Sequence, residues 1–274
     1  MSSDNAASVR LREILSGYGK LSVAFSGGVD SVFLLKAAVD ALGSGNVLAV
    51  TADSLIFPQY EIDNARDLVA ELGVRHLRFT FDAFAVENFA ENPPDRCYYC
   101  KKALFSRIIA LSMDNGYTTA ADGSNVDDDG DYRPGMRAAQ ELGVASPLKQ
   151  AGMTKTTIRR LSRDLGLFSW NKPSMACLAS RFPYGSRITE ADVLAVDKAE
   201  RFLFRHGFQN VRVRRHGDVA RIEVNPEERS RFFDAGFMDE VANELQSIGF
   251  QYAALDLRGF RTGSMNETLK GEAH

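Results

Sequence analysis

The chain has 274 residues, which is enough for one large domain or two modest ones with a substantial core. Apolar residues make up 45% and charged residues 25%, as in ordinary globular proteins, so a disordered chain and a disulfide-stapled mini-protein are both excluded. The formal net charge of −3 argues against a generally basic surface that coats nucleic acid.

Short β-rich segments alternate with helical segments over residues 21–167, which predicts an α/β domain with a parallel sheet covered by helices. Strands are predicted at 21–25, 47–51, 77–81 and 118–121, and helices at 30–42, 61–72 and 99–112. In such folds ligands bind at the carboxyl ends of the strands. The polar start of the chain and the lack of a long apolar stretch predict a cytoplasmic protein that makes no membrane contact.

The pattern changes near residues 185–189, which predicts two domains, 1–187 and 188–274. A helix at 189–206 is expected to begin with Thr189 as its N-cap. Period-two alternation over 211–224 predicts a β-hairpin, and the remaining pattern predicts a helix at 240–248 and a strand at 252–257. The second domain is therefore expected to be a smaller α+β module.

A glycine-rich loop joins the first predicted strand to the first predicted helix. Gly27 and Gly28 allow the backbone to curl around an anion, and the helix N-terminus presents free N–H groups to it. Asp30 is suited to holding Mg²⁺, and the hydroxyls of Ser26 and Ser31 can donate to phosphate oxygens. The loop matches neither the Walker pattern nor the dinucleotide-binding pattern. It resembles the PP-loop of the N-type ATP pyrophosphatases, which cleave ATP between its α and β phosphates; the alternative is a simple glycine turn.

Two later segments fit the same superfamily. Residues 122–128, which include Gly123, follow a predicted strand and resemble a second nucleotide-side loop. Three aspartates of this loop are candidates for contact with the metal or the substrate: Asp122, Asp127 and Asp128. Lys155 resembles a helix lysine that approaches phosphate, although taken alone it could lie on a solvated helix face.

The three cysteines form an odd number and cannot all pair within one chain. Cys97 and Cys100 lie three residues apart at a predicted helix start, and Cys177 follows much later. Three thiolates can bind three irons of a [4Fe–4S] cluster and leave the fourth open, whereas structural zinc takes four ligands. Three alternatives stay open: a zinc site completed by a histidine, a redox pair of Cys97 and Cys100 with Cys177 as a separate sulfur donor, and inert buried thiols.

The predicted hairpin places charged residues on one face. Arg212 and Arg214 alternate with valines, and Arg221 and Glu223 occupy the return strand. Guanidinium groups suit phosphate and carboxylate ligands, so this face is a candidate anion site, with a solvated hairpin as the alternative. Arg181, four residues after Cys177, is a further candidate anion contact.

Nearly the whole chain resembles the LarE family of lactate-racemase maturation sulfur transferases. The matching segments are Ser26–Ser31, Asp131-Tyr-Arg-Pro-Gly135, Trp170-Asn-Lys172, Pro173-Ser-Met-Ala-Cys-Leu-Ala-Ser-Arg-Phe-Pro-Tyr-Gly185, Val211-Arg-Val-Arg214, Ala220-Arg-Ile-Glu223 and Gly259-Phe-Arg261. The resemblance implies an enzyme that adenylylates carboxylates of pyridinium-3,5-biscarboxylic acid mononucleotide and converts them to thiocarboxylates for the nickel-pincer nucleotide, releasing AMP and pyrophosphate.

The family contains two kinds of enzyme, and its pattern assigns further roles. Some members sacrifice the sulfur of the cysteine at the position of Cys177, whereas others carry an additional CxxC and hold a [4Fe–4S] cluster. Cys97 and Cys100 place this chain with the second kind. The resemblance also implies a trimer of dimers, a second domain that serves substrate binding and oligomerisation, and a substrate-side anion site near Glu200.

The expected ligands are ATP, Mg²⁺, the cluster, a nicotinate-derived mononucleotide, and sulfide or a small sulfur donor, with no nucleic acid. The nearest alternatives are a tRNA-thiolating PP-loop enzyme and a sacrificial transferase that uses Cys177. An amide-forming PP-loop ligase would not need three thiols. A non-catalytic iron–sulfur carrier that retains a nucleotide fold is the alternative from another functional class.

Overall fold

A computed structural model describes residues 3–58, 66, 68–130, 134–173 and 176–261. The helices are α1 (Ser3–Ser16), α2 (Val29–Leu42), α3 (Arg96–Asp114), α4 (Pro134–Glu141), α5 (Pro147–Gln150), α6 (Lys155–Asp164), α7 (Glu190–Arg205) and α8 (Ala235–Ile248). The strands are β1 (Leu21–Ala24), β2 (Val47–Asp53), β3 (Arg75–Thr80), β4 (Ala120–Ala121), β5 (Arg212–His216), β6 (Val219–Glu223) and β7 (Tyr252–Leu255). Among the described helices, none combines the length and the apolar character that crossing a membrane requires.

The chain divides into two compact units. The first comprises Met1–Val86 and Asp95–Met175, and the second comprises Glu87–Pro94 and Ala176–His274. The predicted domains 1–187 and 188–274 differ from these units in assigning 87–94 and 176–187 to the first. Backbone hydrogen bonds explain the difference, since Gly185 N donates to Asn92 O at 2.9 Å and Ile188 N donates to Ala90 O at 2.7 Å.

The first unit contains a four-stranded sheet in the order β3-β2-β1-β4, and all of its pairings are parallel. Strand β1 is an interior strand, because it pairs with β2 on one side and β4 on the other. Its Leu21 and Val23 are fully buried, as is usual for interior strands of parallel sheets. Helix α2 packs its apolar residues, including Leu34 and Leu35, into the same core. The α/β prediction is therefore confirmed, and the loop that follows β1 lies at the carboxyl edge of the sheet.

Several helices of the first unit differ from the predicted ones, and α4 and α5 were not predicted. Helix α1 was not predicted from the sequence, because only a narrow stripe that includes Leu11 and Leu15 is buried in an otherwise polar helix. Helix α3 begins at Arg96 rather than at residue 99, which puts Cys97 in its first turn. The predicted helix 61–72 lies partly outside the described residues. Within that range, the described residues 66 and 68–71 are helical.

The second unit contains a three-stranded sheet in the order β5-β6-β7. Strands β5 and β6 form the predicted antiparallel hairpin, and β7 pairs in parallel with β6. Thr189 caps α7 as expected, since its side chain accepts a hydrogen bond from Asp192 N. Helix α8 begins earlier than predicted because Asp234 caps it and accepts from Phe237 N at 2.8 Å.

Gly259 should be the most constrained of the second unit's loop glycines. It has a φ of +74°, and an added Cβ would lie 2.6 Å from Val224 O. We expect Gly259→Ala to reduce the free energy of unfolding by several kcal/mol, because the clash with backbone adds to the conformational cost of about 1 kcal/mol. Gly207→Ala, at a φ of +81° with open space around it, should show the conformational cost alone. Equal losses of stability in urea unfolding would mean that the backbone contact at Gly259 adds no cost.

Candidate functional site

The loop between β1 and α2 is closed by its own hydroxyl groups. Ser31 Oγ donates to Gly28 O at 3.1 Å, accepts from Ser26 N at 3.3 Å and lies 3.1 Å from Ser26 Oγ. Gly27 has a φ of +76°, a left-handed conformation that favours glycine. Gly28 is the N-cap of α2 and offers no side chain to the first-turn N–H groups. The loop therefore presents backbone donors at a helix N-terminus, which suits an anion such as phosphate.

The second predicted loop packs directly on the first. A Cβ added to Gly123 would lie 2.9 Å from Ser31 N and 3.1 Å from the carbonyl carbon of Asp30, so only glycine permits this approach. Asp122 is occupied by two hydroxyl groups: Ser124 Oγ from its own loop donates to it at 2.7 Å, and Ser146 Oγ, at the start of α5, donates to it at 2.8 Å. Gly123 thus contributes to the nucleotide loop by its lack of a side chain.

The other two candidate aspartates accept hydrogen bonds from backbone N–H groups. Asp127 accepts a hydrogen bond from Lys155 N at the start of α6, at 2.6 Å. Asp128 accepts from Asn125 N at 2.9 Å. These contacts fix the loop and the start of α6 beside Asp30, which leaves Asp30 as the carboxylate best placed to meet a metal.

Asp30 is a buried carboxylate with incomplete compensation. Its Oδ1 is buried without a hydrogen-bond partner among the described residues, and its Oδ2 lies 3.8 Å from Lys155 Nζ. Burial raises the pKa of Asp30 above its ordinary value, and Lys155 offsets this effect only in part. An unpaired carboxylate oxygen beside a phosphate loop has the chemistry of a Mg²⁺ ligand, so the residues present fit that ion.

Arg159 also contributes to this site, although it was not among the residues predicted from the sequence. It lies one turn after Lys155 on α6. Like that of Lys155, its positive charge opposes the rise in the pKa of Asp30 that burial causes. Its guanidinium donates to Trp170 O at 2.9 Å and to Lys172 O at 2.6 Å. The four-residue spacing from Lys155, which places both cations on one helix face, is the signal that could have revealed it.

The three cysteines are all thiols and are divided between the two units. Cys97 and Cys100 share one side of α3; Cys100 is buried, and Cys97 Sγ accepts from Arg96 Nη2 at 3.7 Å. Cys177, in the second unit, is half-buried and precedes the short turn Leu178–Arg181. In the part of the chain that the structure describes, no three His, Cys, Asp or Glu side chains are grouped as a metal site. As donors, three thiols still have the chemistry that iron–sulfur clusters require.

Arg181 and Glu200 form a buried bidentate ion pair in the second unit. Arg181 Nε and Nη2 donate to the two Glu200 oxygens at 2.8 and 2.9 Å, and Val213 N donates to Glu200 Oε1 at 2.9 Å. Burial alone raises the pKa of Glu200, but Arg181, Arg212 and the Val213 N–H lower it below its ordinary value. The pair therefore joins α7 to β5 and holds Glu200 in its charged form.

Arg181 also holds the backbone at Cys177. Its Nη1 donates to Ala176 O at 3.0 Å, to Cys177 O at 3.3 Å and to Ser180 Oγ at 2.8 Å. The side chain has no exposed surface, although the sequence predicted an anion contact at this position. The geometry instead supports a positioning role, in which Arg181 fixes the segment that carries the thiol.

The predicted hairpin residues are brought together but are more buried than expected. Arg214 Nη2 and Arg221 Nη2 each donate to a Glu223 oxygen at 2.9 Å, so two guanidinium groups hold one fully buried carboxylate. Arg212 is buried, donates to Val211 O at 2.7 Å and lies over the Phe260 ring. Arg214 also donates to Ser180 O at 2.8 Å. A solvated hairpin face is therefore not what the structure shows.

Comparisons with known proteins agree with these features. The family described as NAD synthase matches residues 8–121, the part that carries the phosphate loop. The chain is 45% identical to a pyridinium-3,5-bisthiocarboxylic acid mononucleotide synthase from Lactiplantibacillus plantarum, over 91% of this chain and 90% of that protein. It is 39% identical to an uncharacterized protein from Synechocystis sp., over 94% of this chain and 96% of that protein. Of the segments that carry the family resemblance, residues 131–133 and 174–175 lie outside the described residues.

Glu200→Gln should destabilise the second unit strongly at neutral pH. Removing one partner of a buried ion pair typically costs about 3–5 kcal/mol, because the other charge is left buried. Since folding lowers the pKa of Glu200 from its ordinary 4.5, the contribution is complete above that value and is lost as the pH falls through the folded pKa. The difference between wild type and variant in urea unfolding should therefore be constant near neutrality and shrink in acid.

Glu190→Gln is the matched control, because Glu190 lies exposed in the first turn of the same helix. We expect it to cost only about 0.5 kcal/mol, the size of a helix-terminus charge effect. A Glu200→Gln cost as small as this, or one that grows on acidification, would refute the structural role of the pair.

Proposed function

The chain belongs to the LarE family, and we propose that it converts ring carboxylates of pyridinium-3,5-biscarboxylic acid mononucleotide to thiocarboxylates at the expense of ATP. Identity of 45% over nearly the full length of a synthase of the bisthiocarboxylic mononucleotide supports this assignment. The observation that carries it is the closed phosphate loop with the under-compensated carboxylate of Asp30 beside it. A loop of this kind suits a reaction that needs ATP and Mg²⁺.

We propose that the first half-reaction is an adenylylation. A substrate carboxylate oxygen attacks the α-phosphorus of ATP; an oxygen–phosphorus bond forms, the α–β phosphoanhydride bond breaks, and pyrophosphate leaves. The N–H groups at the start of α2 and the cations of Lys155 and Arg159 stabilise the negative charge on the leaving pyrophosphate. Asp30 would hold Mg²⁺, and the ion would supply further positive charge to neutralise the phosphates. The product is an acyl-adenylate. Its carbonyl carbon can expel AMP, whereas the free carboxylate would have to expel oxide, a far poorer leaving group.

The second half-reaction replaces AMP by sulfur. We propose that Cys97, Cys100 and Cys177 hold a [4Fe–4S] cluster, because three thiolates leave one iron open. The cluster, when bound, would supply sulfide, from free sulfide or a small sulfur donor, to the activated carbonyl. Arg181 keeps the backbone at Cys177 in place through its carbonyl contacts. With such a cluster, Cys177 would keep its own sulfur and repeated turnover would be possible.

Substrate recognition and assembly are parts of the same proposal. The anionic groups of the mononucleotide suit the guanidinium-rich face around Arg212, Arg214 and Glu223, with Glu200 and Arg181 supporting it from α7 and the adjacent turn. We further propose a homo-oligomer, a trimer of dimers, that acts in the cytoplasm, where the thiols stay reduced. No role in nucleic-acid binding is proposed.

Asp30→Asn should abolish the first half-reaction. The amide keeps the size of the side chain but loses the charge that holds the metal, so the rate of ATP-dependent pyrophosphate release should fall by about 100-fold or more. Asp40→Asn is the control, because Asp40 lies exposed on the same helix and pairs only with Lys36 among the described contacts. A coupled pyrophosphate assay measures both. A rate for Asp30→Asn within about twofold of wild type would mean that Asp30 is not a metal ligand.

Cys177→Ala and Cys97→Ala should each lose cluster assembly. After anaerobic reconstitution, wild-type protein should carry about four irons and four acid-labile sulfides, and each variant should carry far less. Lys102→Ala, an exposed change on the same helix as Cys97, should retain the cluster. Thiocarboxylate formation, measured by mass spectrometry, should disappear with the iron. Full iron content in either cysteine variant would rule out the three-thiolate site.

The mass of wild-type protein after turnover separates cluster chemistry from sacrificial chemistry. With added sulfide, we expect product to exceed enzyme and Cys177 to keep its sulfur. Loss of the mass of H₂S at Cys177, with at most one sulfur transferred for each chain, would establish the sacrificial mechanism instead.

A further inference from the structure

One face of the β5-β6-β7 sheet carries charged residues on β5 and β6, and Asp256 follows directly after β7. Pairing registers place Arg214 opposite Arg221, and Arg221 beside Ala254. Two positions along the strands, Arg212 lies opposite Glu223. Side chains two residues apart share a face, so these residues and Asp256, which follows β7, lie on one side of the sheet.

The arginines of this face differ in how far they are buried. Arg212 is buried and Arg214 exposes only 6% of its side chain, whereas Arg221 exposes 31%. Ala254, beside Arg221 on β7, is exposed, and its side chain is too small to cover the guanidinium group of Arg221. An anion from solvent would therefore reach this face above β7 and meet Arg221 before the buried arginines.

Arg261 lies at the same opening. Its side chain is 30% exposed, and its Nη1 lies 3.5 Å from Asp256 Oδ1, while Arg221 Nη1 lies 3.6 Å from Asp256 Oδ2. Both separations exceed the roughly 2.8 Å of a strong charge-assisted hydrogen bond. Arg221 also donates to Glu223 at 2.9 Å, and Arg261 Nη1 donates to Gly259 O at 3.0 Å, so a ligand would displace only the longer contacts to Asp256.

The local field at this opening is positive. Four guanidinium groups (Arg212, Arg214, Arg221 and Arg261) face two carboxylates (Glu223 and Asp256), so these six groups carry two more positive charges than negative ones. His216, at the end of β5, responds to this field. Burial lowers its pKa, and Arg221 and Arg214 lower it further, against the opposing effect of Glu223.

From this geometry we propose that Arg221 and Arg261 clamp the phosphate group of the mononucleotide, while Arg212 and Arg214 serve mainly to build the face. The proposal rests on the proposed function for its ligand and adds two residues to the substrate site. Phosphate offers more acceptor oxygens than a carboxylate and matches two converging guanidinium groups. Asp256 keeps the two arginines in place until the ligand arrives.

The test compares a ligand with and without its phosphate. Nicotinic acid mononucleotide and nicotinic acid riboside differ in that group alone, and calorimetry measures the affinity of each for the full-length protein. We expect wild type to prefer the mononucleotide. Arg261→Gln and Arg221→Lys should weaken mononucleotide binding by about 10- to 100-fold and leave riboside binding unchanged. Arg258→Gln, an exposed change on the same segment as Arg261, should alter neither affinity.

Two further results decide between failure of the clamp and failure of the proposed function. Equal weakening of both ligands, or no weakening of either, overturns the clamp while the proposed substrate stands. If wild type binds neither ligand, the substrate proposal fails as well.

Inorganic phosphate should also raise the pKa of His216, measured by NMR, in wild type and less so in Arg261→Gln. An unchanged His216 pKa in wild type contradicts the clamp. Thermal unfolding confirms that both variants are folded.

Discussion

A carboxylate that leaves water keeps its charge only if cations or N–H donors replace the lost hydration. Glu200 and Glu223 satisfy this constraint inside the second unit, where guanidinium groups and a backbone N–H surround them. Asp30 satisfies it only in part, since burial raises its pKa, Lys155 offsets this rise incompletely, and one of its oxygens has no hydrogen-bond partner among the described residues. The paired carboxylates therefore stabilise the fold, and the incompletely paired one is left for a ligand.

The same distinction applies to the arginines. Arg181, Arg212 and Arg214 are buried and donate to protein acceptors, so they connect the turn at Cys177, helix α7 and the hairpin. Arg221 and Arg261 are half-exposed and share Asp256 at longer distances. In the proposed function, the buried arginines build the substrate-side face, and the half-exposed ones lie at its edge, where a ligand would arrive. The sequence pattern alone does not show which of these arginines are buried and which are half-exposed.

The sequence predicted the elements whose signals are local. Strand β1 and helix α2 follow from a continuous apolar strand, a glycine loop and helical spacing, and Thr189 marks the start of α7. Features that depend on distant contacts were not predictable in this way. Helix α1 has too narrow an apolar stripe, and the inclusion of 87–94 in the second unit depends on hydrogen bonds to residues 185 and 188. The burial of Arg181 and the proximity of Arg159 to Asp30 likewise emerge only from the folded chain.

Activation of a ring carboxylate as an acyl-adenylate leaves an isotopic record. If the substrate carboxylates carry heavy oxygen and the protein turns over with ATP, Mg²⁺ and sulfide, the oxygen displaced by sulfur must leave with the adenylyl group. We predict one heavy oxygen in the phosphate of AMP for each thiocarboxylate formed, with none in pyrophosphate. Heavy oxygen in inorganic phosphate together with ADP, or thiocarboxylate formed without labelled AMP, would contradict adenylylation by this loop.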